Sequence, residues 1–440
     1  MGDEQKPKSK TLQTLQVRFT TKQQEYAIPD FPYDLPSTAG PDALNSLINK
    51  VLNDDGILEK TKSFDFLVGG EFLRGTLEEL VLRHEALKTE SEGAERGLVG
   101  TEEIFVVEYV ERWPSPEPKD CLMHDDWVSS IDTTSKWILS GCYDSTLHLW
   151  TVKGKHKQAF AAHEGPVKKV CWISSDNQAA VFASASHDQT VMIWEWDLEN
   201  NNASCKWICK GHERSVEALR IHPETSRMAS GSWDGQIKVW SASPNEDKLD
   251  SKISEPEGAV GGAPPKPRTR VPMMSLAGHR ESVSAIAWLG PQEVISSSWD
   301  HTIKIWDLEA GGMKSDLSGN KAFFDMSWSA LNQTVVTASA DRHIRLYDPR
   351  STEGSIVKAT FTSHSGWVSS VNWSTTEENL FISGSHDNLM KLWDRRSPRA
   401  PLYNLTGHTE NILCTNWSNP QFLLSGGSDN TLRIFRAKGD

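Results

Sequence analysis

The sequence predicts a mainly β protein: a seven-bladed β-propeller preceded by a ubiquitin-like β-grasp domain of the α+β class. The propeller is predicted by a repeat in which an Asp is followed six residues later by Trp, Tyr or Phe. Successive Asp residues of the repeat lie 44, 46, 66, 41, 46 and 42 positions apart, and a period of about 40–45 residues is typical of propeller blades. The seven pairs are Asp144/Trp150, Asp188/Trp194, Asp234/Trp240, Asp300/Trp306, Asp341/Tyr347, Asp387/Trp393 and Asp429/Phe435.

The β-grasp domain is predicted by the pattern of residues 12–113. Apolar and polar residues alternate at 15–19, which indicates a strand, and 26–28 is expected to form the second arm of a hairpin. Pro41 stands at a first-turn position, an apolar stripe at helical spacing follows it, and Asp55-Gly56 ends the predicted helix. Further strands are expected at 64–68 and 104–110. The stripe consists of Leu44, Leu47, Ile48, Val51 and Leu52.

Each repeat also carries a Ser or Thr four residues before its Asp, and six carry a His 20–25 residues before it. One copy of Ser, His and Asp could indicate a hydrolase triad. Seven near-copies predict a buried hydrogen-bond network in every blade instead, and therefore a chain that is not an enzyme. Repeat five departs, with Gly319-Asn320 in place of Gly-His and Tyr347 in place of Trp, and repeat seven ends in Phe435. The histidines are His124, His163, His212, His279, His364 and His408.

Composition excludes several classes of function. The chain has 440 residues and a net charge of −13, which argues against strong direct binding to nucleic acid. No apolar run is long enough to cross a membrane, and the amino terminus lacks the apolar core of a secretory signal. Among six scattered cysteines only Cys205 and Cys209 are close in sequence, so we expect reduced thiols and no intrinsic metal site.

Segments of low complexity set the expected boundaries. Residues 1–11 are predicted to be a disordered tail, and the Pro-rich stretch 114–122 a linker between the domain at 12–113 and the propeller at 123–437. Residues 241–272 explain the 66-residue interval, because Pro, Gly, Ser and charged residues there predict a disordered loop. Its basic end, 266–270, is either a nuclear import signal or a solvated loop.

The repeats resemble the WD-repeat family through Gly211-His212, Gly278-His279, Gly407-His408, Trp306-Asp307 and Trp393-Asp394. A closer resemblance is carried by FDFLVGGEFLRGTLEEL (64–80), EEIFVVEYVERW (102–113), HDDWVSSI (124–131) and SHSGWVSSVNW (363–373). These passages look like the WD-repeat ribosome-assembly factors of the PeBoW complex, whose ubiquitin-like domain is the NLE domain.

That resemblance implies a non-enzymatic scaffold for assembly of the large (60S) ribosomal subunit and for pre-rRNA processing. The implied location is the nucleus, in nucleolus and nucleoplasm. The implied partners are pescadillo, the block-of-proliferation protein, the 66S pre-ribosomal particle and the AAA+ ATPase midasin. The propeller would bind the propeller of the block-of-proliferation protein, and the ubiquitin-like domain would bind the MIDAS domain of midasin, which then releases the complex.

The resemblance also maps a metal-reaching carboxylate onto Glu102, with Glu103 as the alternative register. Mg²⁺ favours octahedral oxygen coordination, so a carboxylate from this chain could complete the shell of a Mg²⁺ that midasin holds. No cofactor of the chain's own is implied.

The docking face of the propeller is predicted from turn positions. The residue before the repeat Asp and the residue before the first Val of a repeat are both expected at one rim, where aromatic side chains would form a partner-binding surface. The predicted residues are Trp127, Tyr143, Trp233, Trp299 and Trp367.

Two alternatives remain open. Trp393-Asp394-Arg395-Arg396 fits the Trp-Asp-x-Arg box of WD-repeat substrate receptors of cullin-RING ubiquitin ligases. A Notchless-type assembly factor would share the layout and the midasin docking, but it carries an eighth blade.

Overall fold

The structure is a computed structural model that describes residues 14–57, 60–69, 71–79, 104–243, 267–350 and 357–438. The chain divides into two compact units, with the boundary between Pro114 and Ser115. Each unit has a hydrophobic core of its own. No helix in the described ranges is both long and apolar enough to cross a membrane.

The first unit is a β-grasp domain, as predicted. Its elements are β1 (Thr14–Thr20), a 3-10 turn (Gln24–Tyr26), β2 (Tyr33–Pro36), α1 (Pro41–Asp54), β3 (Phe64–Val68), β4 (Glu71–Phe72) and β5 (Ile104–Glu111). The sheet order is β2-β1-β5-β3-β4, and the central strands β1 and β5 run parallel. The prediction of a strand at 26–28 was wrong, because β1 pairs instead with β2.

Helix α1 forms where the apolar stripe predicts it. Leu44, Ile48 and Leu52 are fully buried against the sheet, while Leu47 and Val51 pack at the edge of the same core. The side chain of Asn49 fixes the chain beyond the helix, because it exchanges hydrogen bonds of 2.7 and 2.8 Å with the backbone of Lys62. The helix is followed by Gly56, whose φ of 69° suits glycine.

The second unit is the predicted propeller, with seven antiparallel blades. The first strands of neighbouring blades contact one another around a closed circle, so these strands surround a central channel. Blade one consists of β7 (Val128–Thr133), β8 (Trp137–Cys142), β9 (Thr146–Thr151) and β10 (His156–Ala161). Blade two contains β11 (Val167–Ser175), β12 (Ala179–Ser186), β13 (Val191–Asp197) and β14 (Asn202–Cys209). Blade three consists of β15 (Val216–Ile221), β16 (Arg227–Ser232), β17 (Gln236–Ser241) and β19 (Met274–Ala277).

Blades four to seven repeat the same order of strands. They use β20 (Val283–Gly290), β21 (Glu293–Ser298), β22 (Thr302–Asp307) and β23 (Gly312–Ser318); β24 (Phe323–Ser329), β25 (Thr334–Ser339), β26 (Ile344–Tyr347) and β27 (Val357–Phe361); β28 (Val368–Trp373), β29 (Leu380–Ser385), β30 (Met390–Asp394) and β31 (Tyr403–Leu405); and β32 (Ile412–Asn416), β33 (Phe422–Gly427), β34 (Thr431–Arg436) and β6 (Glu117–Met123).

Strand β6 corrects the predicted linker at 114–122. It precedes blade one in the chain, yet it pairs with β34 and becomes the outer strand of blade seven, with Leu122 opposite Leu432. The ring is therefore closed by hydrogen bonds between residues about 300 positions apart, and the propeller begins several residues before the expected 123.

The predicted disordered loop at 241–272 also needs correction at both ends. A short strand, β18 (Arg268–Arg270), pairs parallel with β14 and adds a fifth strand to blade two. The guanidinium of Arg270 lies 4.0 Å from the centre of the Trp207 ring and donates hydrogen bonds to the carbonyls of Ser241 and Ser243. The predicted basic patch lies partly outside the described residues, and its described part is held against blade two.

Candidate docking site on the propeller

The repeat residues form the predicted network in four blades. In blade six the indole Nε1 of Trp393 donates to Ser383 at 2.8 Å, the hydroxyl of Ser383 lies 2.7 Å from Nε2 of His364, and Nδ1 of His364 lies 2.8 Å from Asp387. Blades two, three and four repeat this arrangement with contacts of 2.7–2.9 Å. Every polar atom in this chain of contacts has a partner, so the network stabilises its blade.

Charge is stabilised at the Asp end of the network. Burial opposes ionisation of Asp387, but the hydrogen bond with His364, the charge of that ring when it is protonated, and two backbone N–H groups outweigh it and lower the pKa of the carboxyl to about 2. Burial lowers the pKa of His364, so its imidazole is neutral at pH 7. A His fixed between Ser and Asp in several similar copies is a structural element.

Blade five builds a different network. Asp341 is bonded to the guanidinium of Arg345, and the buried hydroxyl of Tyr347 has no hydrogen-bond partner. Blade seven keeps the contacts of His408 with Ser425 and Asp429, at 2.8 and 3.0 Å, while Phe435 brings no donor. Both departures follow the residue replacements that the sequence showed.

Blade one departs where the sequence predicts no departure. Trp150 donates to Ser140 at 3.2 Å and Ser140 lies 2.8 Å from Nε2 of His124, but the buried Nδ1 of His124 has no partner. Asp144 keeps only the hydrogen bonds from the backbone N–H and hydroxyl of Thr146, which Asp188 of blade two also accepts from Thr190 in addition to its contact with His163. Burial, together with the charge of His148, lowers the pKa of His124 to about 3, against the raising effect of the Leu122 carbonyl.

The two turn positions of the predicted docking face meet at one end of the channel. In each case the residue before the repeat Asp donates its backbone N–H to the residue before the first strand of the blade. The bond joins Tyr143 to Trp127 at 3.0 Å and His386 to Trp367 at 2.9 Å. The same bond joins Trp233 and Trp299 to serines at 2.9 and 3.0 Å. The fold therefore places all five predicted aromatic residues at equivalent positions around one rim.

These residues are joined by three others into an arc of eight rings, which we name the aromatic belt. Consecutive ring centres lie 5.3–6.4 Å apart along the whole arc. The arc is open at blade seven, where Ser428 occupies the turn position. In order around the rim, the belt consists of Trp127, Tyr143, His187, Trp233, Trp299, Phe324, Trp367 and His386.

The four tryptophans of the belt are exposed. The exposed fraction is 44% for Trp127, 39% for Trp233, 39% for Trp299 and 52% for Trp367, whereas Trp240, Trp306 and Trp393 of the blade networks are at most 1% exposed. Large apolar side chains grouped on one surface mark a site of protein interaction, and Trp is enriched among residues that dominate binding energy.

The belt surrounds a cavity of about 280 Å³ at the mouth of the channel. Its wall includes the second residue of the first strand from every blade, and these residues are Ser129, Lys168, Glu217, Ser284, Phe324, Ser369 and Leu413.

Lys168 and Glu217 form an ion pair in this wall. The Nζ of Lys168 lies 3.2 Å from Glu217 and donates to the hydroxyl of Tyr143 at 2.8 Å. Burial opposes the charge of Glu217, but His187, Lys168 and Ser215 outweigh it and lower the pKa of the carboxyl. The mouth is thus a charged, hydrogen-bonded pocket within an aromatic rim, an arrangement suited to holding a partner side chain.

The sequence missed Phe324 as a member of the belt. The signal was present: Phe323 begins β24 as a buried residue, so Phe324 must point to the opposite face of the strand, toward the channel. His187 and His386 occupy the turn position before the repeat Asp but were not among the predicted binding residues. Glu102 and Glu103 lie outside the described residues.

The Trp-Asp-x-Arg box in blade six forms a local ion pair. The guanidinium of Arg396 donates two hydrogen bonds, of 2.9 and 2.7 Å, to the buried carboxylate of Asp394. Arg395 contacts Asn379 and Glu378. The Asp and Arg of the box therefore pair with each other at the end of their own strand, and the box gives no support to the alternative of a ubiquitin-ligase substrate receptor.

Comparison with known proteins agrees with this architecture. The family described as "NLE (NUC135) domain" matches residues 15–81. The family described as "WD domain, G-beta repeat" matches seven segments: 117–151, 154–195, 203–241, 270–307, 313–348, 356–394 and 399–436. Seven matches and seven blades agree with the seven-bladed propeller that the sequence predicts, and not with the eight blades of a Notchless-type factor.

Close relatives match almost the whole chain. The "Ribosome biogenesis protein WDR12 homolog" of Culex quinquefasciatus is 48% identical over 425 residues, which cover 96% of this chain and 96% of the relative. Its counterparts in Anopheles gambiae, over 98% of this chain, and Drosophila erecta, over 96%, are each 47% identical and are each covered over 96% of their length. The chain therefore belongs to the WDR12 family of ribosome biogenesis proteins, with an NLE domain followed by seven WD repeats, and has a role in ribosome assembly.

Proposed function

We propose that this chain is a non-enzymatic scaffold of the PeBoW complex in assembly of the large ribosomal subunit. The propeller binds the propeller of the block-of-proliferation protein, and pescadillo joins the same complex on the 66S pre-ribosomal particle. The NLE domain binds the MIDAS domain of midasin, which releases the complex. This work takes place in the nucleolus and nucleoplasm. The single observation that carries the docking part of the proposal is the aromatic belt.

The belt supports protein docking because a partner that covers its exposed apolar surface would gain a large free energy of binding. A Trp side chain buries up to about 250 Å², so Trp299, at 39% exposed, leaves roughly 100 Å² of surface for a partner to cover. At about 25 cal/mol per Å², covering it stabilises a complex by roughly 2.5 kcal/mol, or about 60-fold in Kd. Four such residues make an apolar rim around the charged pocket at the channel mouth.

The blade networks support a scaffold rather than an enzyme. In blades two, three, four and six the Ser, His and Asp side chains are fully used within the blade, as in blade six, and the Ser hydroxyl accepts a hydrogen bond from a buried indole. A nucleophile needs access to its substrate. We therefore assign no catalytic residue.

The docking surface is tested with two tryptophans of the same blade. Trp299→Ala removes an exposed ring, and we expect Kd for the partner propeller to rise roughly 60-fold in isothermal titration calorimetry, with little loss of thermal stability. Trp306→Phe is the matched control, because Trp306 is 1% exposed and donates to Ser296. It is expected to lower stability by about 1–3 kcal/mol and leave Kd unchanged below the melting temperature. If Trp299→Ala binds with the wild-type Kd, the belt is not the docking surface.

The midasin contact is proposed to pass through Glu102. Mg²⁺ holds its ligands near 2.0–2.1 Å in a nearly ideal octahedron, so a carboxylate one methylene shorter reaches the open position poorly. We expect Glu102→Ala to abolish Mg²⁺-dependent binding to the MIDAS domain, and Glu102→Asp to weaken it strongly.

Glu103→Ala is the control for the midasin contact, since it removes the neighbouring carboxylate. We expect it to bind normally and the propeller contact to be unchanged in all three variants. Loss of binding in Glu103→Ala alone moves the assignment by one residue. Normal binding in every variant contradicts the Mg²⁺ bridge while leaving the belt proposal intact.

A further inference from the structure

Blade one differs from the other blades at two buried positions that the repeat otherwise restricts. Two residues after the network Ser or Thr, blades two to six have Ser, whereas blade one has Cys142. Eight residues after it, the other six blades have Met, Lys or Arg, whereas blade one has His148. The residues of the other blades that are equivalent to Cys142 are Ser186, Ser232, Ser298, Ser339 and Ser385. Those equivalent to His148 are Met192, Lys238, Lys304, Arg345, Lys391 and Arg433.

Cys142 and His148 lie beside His124, whose Nδ1 does not make the contact with Asp seen in other blades. One ligand atom from each of His124, Cys142 and His148 lies within 4.8 Å of the other two. The exposed fractions are 6% for His124, 0% for Cys142 and 6% for His148. No other His, Cys, Asp or Glu group of this kind occurs in the described parts of the chain. Two imidazoles and a thiol in a closed pocket are the ligand types that zinc prefers.

The hydrogen bonds around the pocket fix which imidazole nitrogen of His148 is free. Nε2 of His124 contacts the Ser140 hydroxyl at 2.8 Å, and Nε2 of His148 contacts the Thr146 hydroxyl at 3.0 Å. Thr146 gives its own proton to Asp144, so His148 Nε2 must be the donor to Thr146. This places the lone pair of His148 on Nδ1.

His124 differs, because Ser140 accepts from Trp150 and its hydroxyl can either donate to His124 Nε2 or accept from it. A proton on Nε2 would make His124 the donor to Ser140 and would leave the lone pair of Nδ1 free for a metal ion. The Nδ1 atoms of both residues are buried and have no hydrogen-bond partner, a costly state that a bound cation would relieve.

We propose that His124, Cys142 and His148 bind one Zn²⁺ inside blade one. The two Nδ1 atoms and the thiolate would supply three ligands, and the thiol proton would pass to solvent when the metal binds. Ser140 and Thr146 would orient the imidazoles from the second nitrogen, as outer hydrogen-bond partners do in zinc sites. Zinc–ligand bonds of about 2.0–2.3 Å place tetrahedral ligand atoms roughly 3.3–3.5 Å apart, so small side-chain rotations would close the present spacing.

The ion would act as a clamp where the ring closes. His124 follows β6, which completes blade seven, and its backbone N–H donates to Asn430 of that blade at 2.9 Å. Cys142 ends β8 and His148 lies in β9, both within blade one. Zinc would thus replace the missing His–Asp bond and hold the closing segment to the first blade.

The test measures zinc in the full-length chain after incubation with Zn²⁺ and removal of weakly bound metal. We expect one zinc per chain in the wild type, and none in Cys142→Ser or His148→Lys. Both variants insert the residue that other blades carry at the same position, so both are expected to fold. Cys209→Ser is the matched control, since Cys209 is a buried thiol outside the cluster, and it is expected to retain zinc.

Two further measurements separate a metal site from a packed stack of aromatic side chains. Co²⁺ should give tetrahedral visible bands and a thiolate charge-transfer band in the wild type, and the charge-transfer band should vanish in Cys142→Ser. Added Zn²⁺ should raise the melting temperature of the wild type and not that of the variants. Absence of zinc from the wild type, or equal zinc in Cys142→Ser, would overturn the proposal.

Discussion

Asp387→Asn tests whether the His–Asp contact stabilises a blade. One carboxylate oxygen of Asp387 accepts from His364 at 2.8 Å and from the backbone N–H of Ser365 at 3.0 Å, and the other accepts from the backbone N–H of Leu389 at 3.2 Å. An amide has a single oxygen, so in Asn its NH₂ group must face one of these donors. The variant keeps the size of the side chain and removes only its charge and one acceptor.

The magnitude follows from the pKa of the carboxyl. Its environment lowers that pKa from the ordinary value near 4 to about 2, and each pH unit corresponds to about 1.4 kcal/mol. The side chain is 6% exposed, so solvent screens little of this, but the part of the shift that comes from the charge of His364 is absent while that ring is neutral. We therefore expect Asp387→Asn to lower the free energy of unfolding at pH 7 by less than the full shift, about 2 kcal/mol.

Asp144→Asn is the matched control, because Asp144 occupies the same repeat position without contacting a His. One of its carboxylate oxygens accepts both hydrogen bonds from Thr146, and an amide oxygen can take its place, so we expect a loss below about 1 kcal/mol. Urea denaturation followed by tryptophan fluorescence measures both variants, since all 18 tryptophans except Trp113 lie in the propeller unit. Equal losses in the two variants would refute the stabilising role assigned to the His–Asp contact.

His364 is held neutral by a lowered pKa and unfolded His titrates near 6.5, so its contribution is complete above about pH 6.5 and is lost as pH falls below it; the urea midpoint should decrease from pH 7 to pH 5, and a flat profile would contradict this. Tyr347→Phe removes a buried hydroxyl that has no partner, so the melting temperature should stay equal or rise, and a loss above about 1 kcal/mol would show a hidden contact. A chain that begins at Ser115 should fold as a propeller, whereas one that begins at His124 lacks β6 and should fail to give a cooperative melting transition; equal cooperativity would mean that ring closure does not need this strand.

The sequence predicted the parts of the fold that rest on local patterns. Helix α1 and its end before Gly56 depend on neighbouring residues, and the seven blades depend on a motif that recurs within each repeat. Strand β6 could not be predicted in this way. Only Leu122 of its seven residues is buried, so no alternation marks it, and its partner β34 lies at the opposite end of the propeller sequence.

The docking face was predictable because turn position fixes direction. Trp233 and Trp299 precede the repeat Asp in a tight turn, so the repeat alone places them at the rim. The continuity of the belt was not predictable, because ring contacts such as Trp299 with Phe324, at 6.3 Å, join residues of different blades. Their spacing depends on how far each blade is rotated from the next, and no local pattern reports that rotation.

Blade one shows a separate limit of reasoning from residue types. His124 and Asp144 both stand where the repeat requires them, yet the structure leaves His124 Nδ1 without a partner and gives Asp144 to Thr146. Thr146 is not the cause, because Thr190 makes the same two hydrogen bonds to Asp188 in blade two, where His163 keeps its contact with that Asp. A repeat motif counts which residues are present, whereas a hydrogen bond also depends on where each side chain lies. The informative signal was the joint replacement at two other positions of the same repeat, Cys142 for Ser and His148 for Met, Lys or Arg. Two buried replacements that both introduce metal-ligand atoms, beside a His that has lost its usual partner, form one altered site, and only the structure places them together.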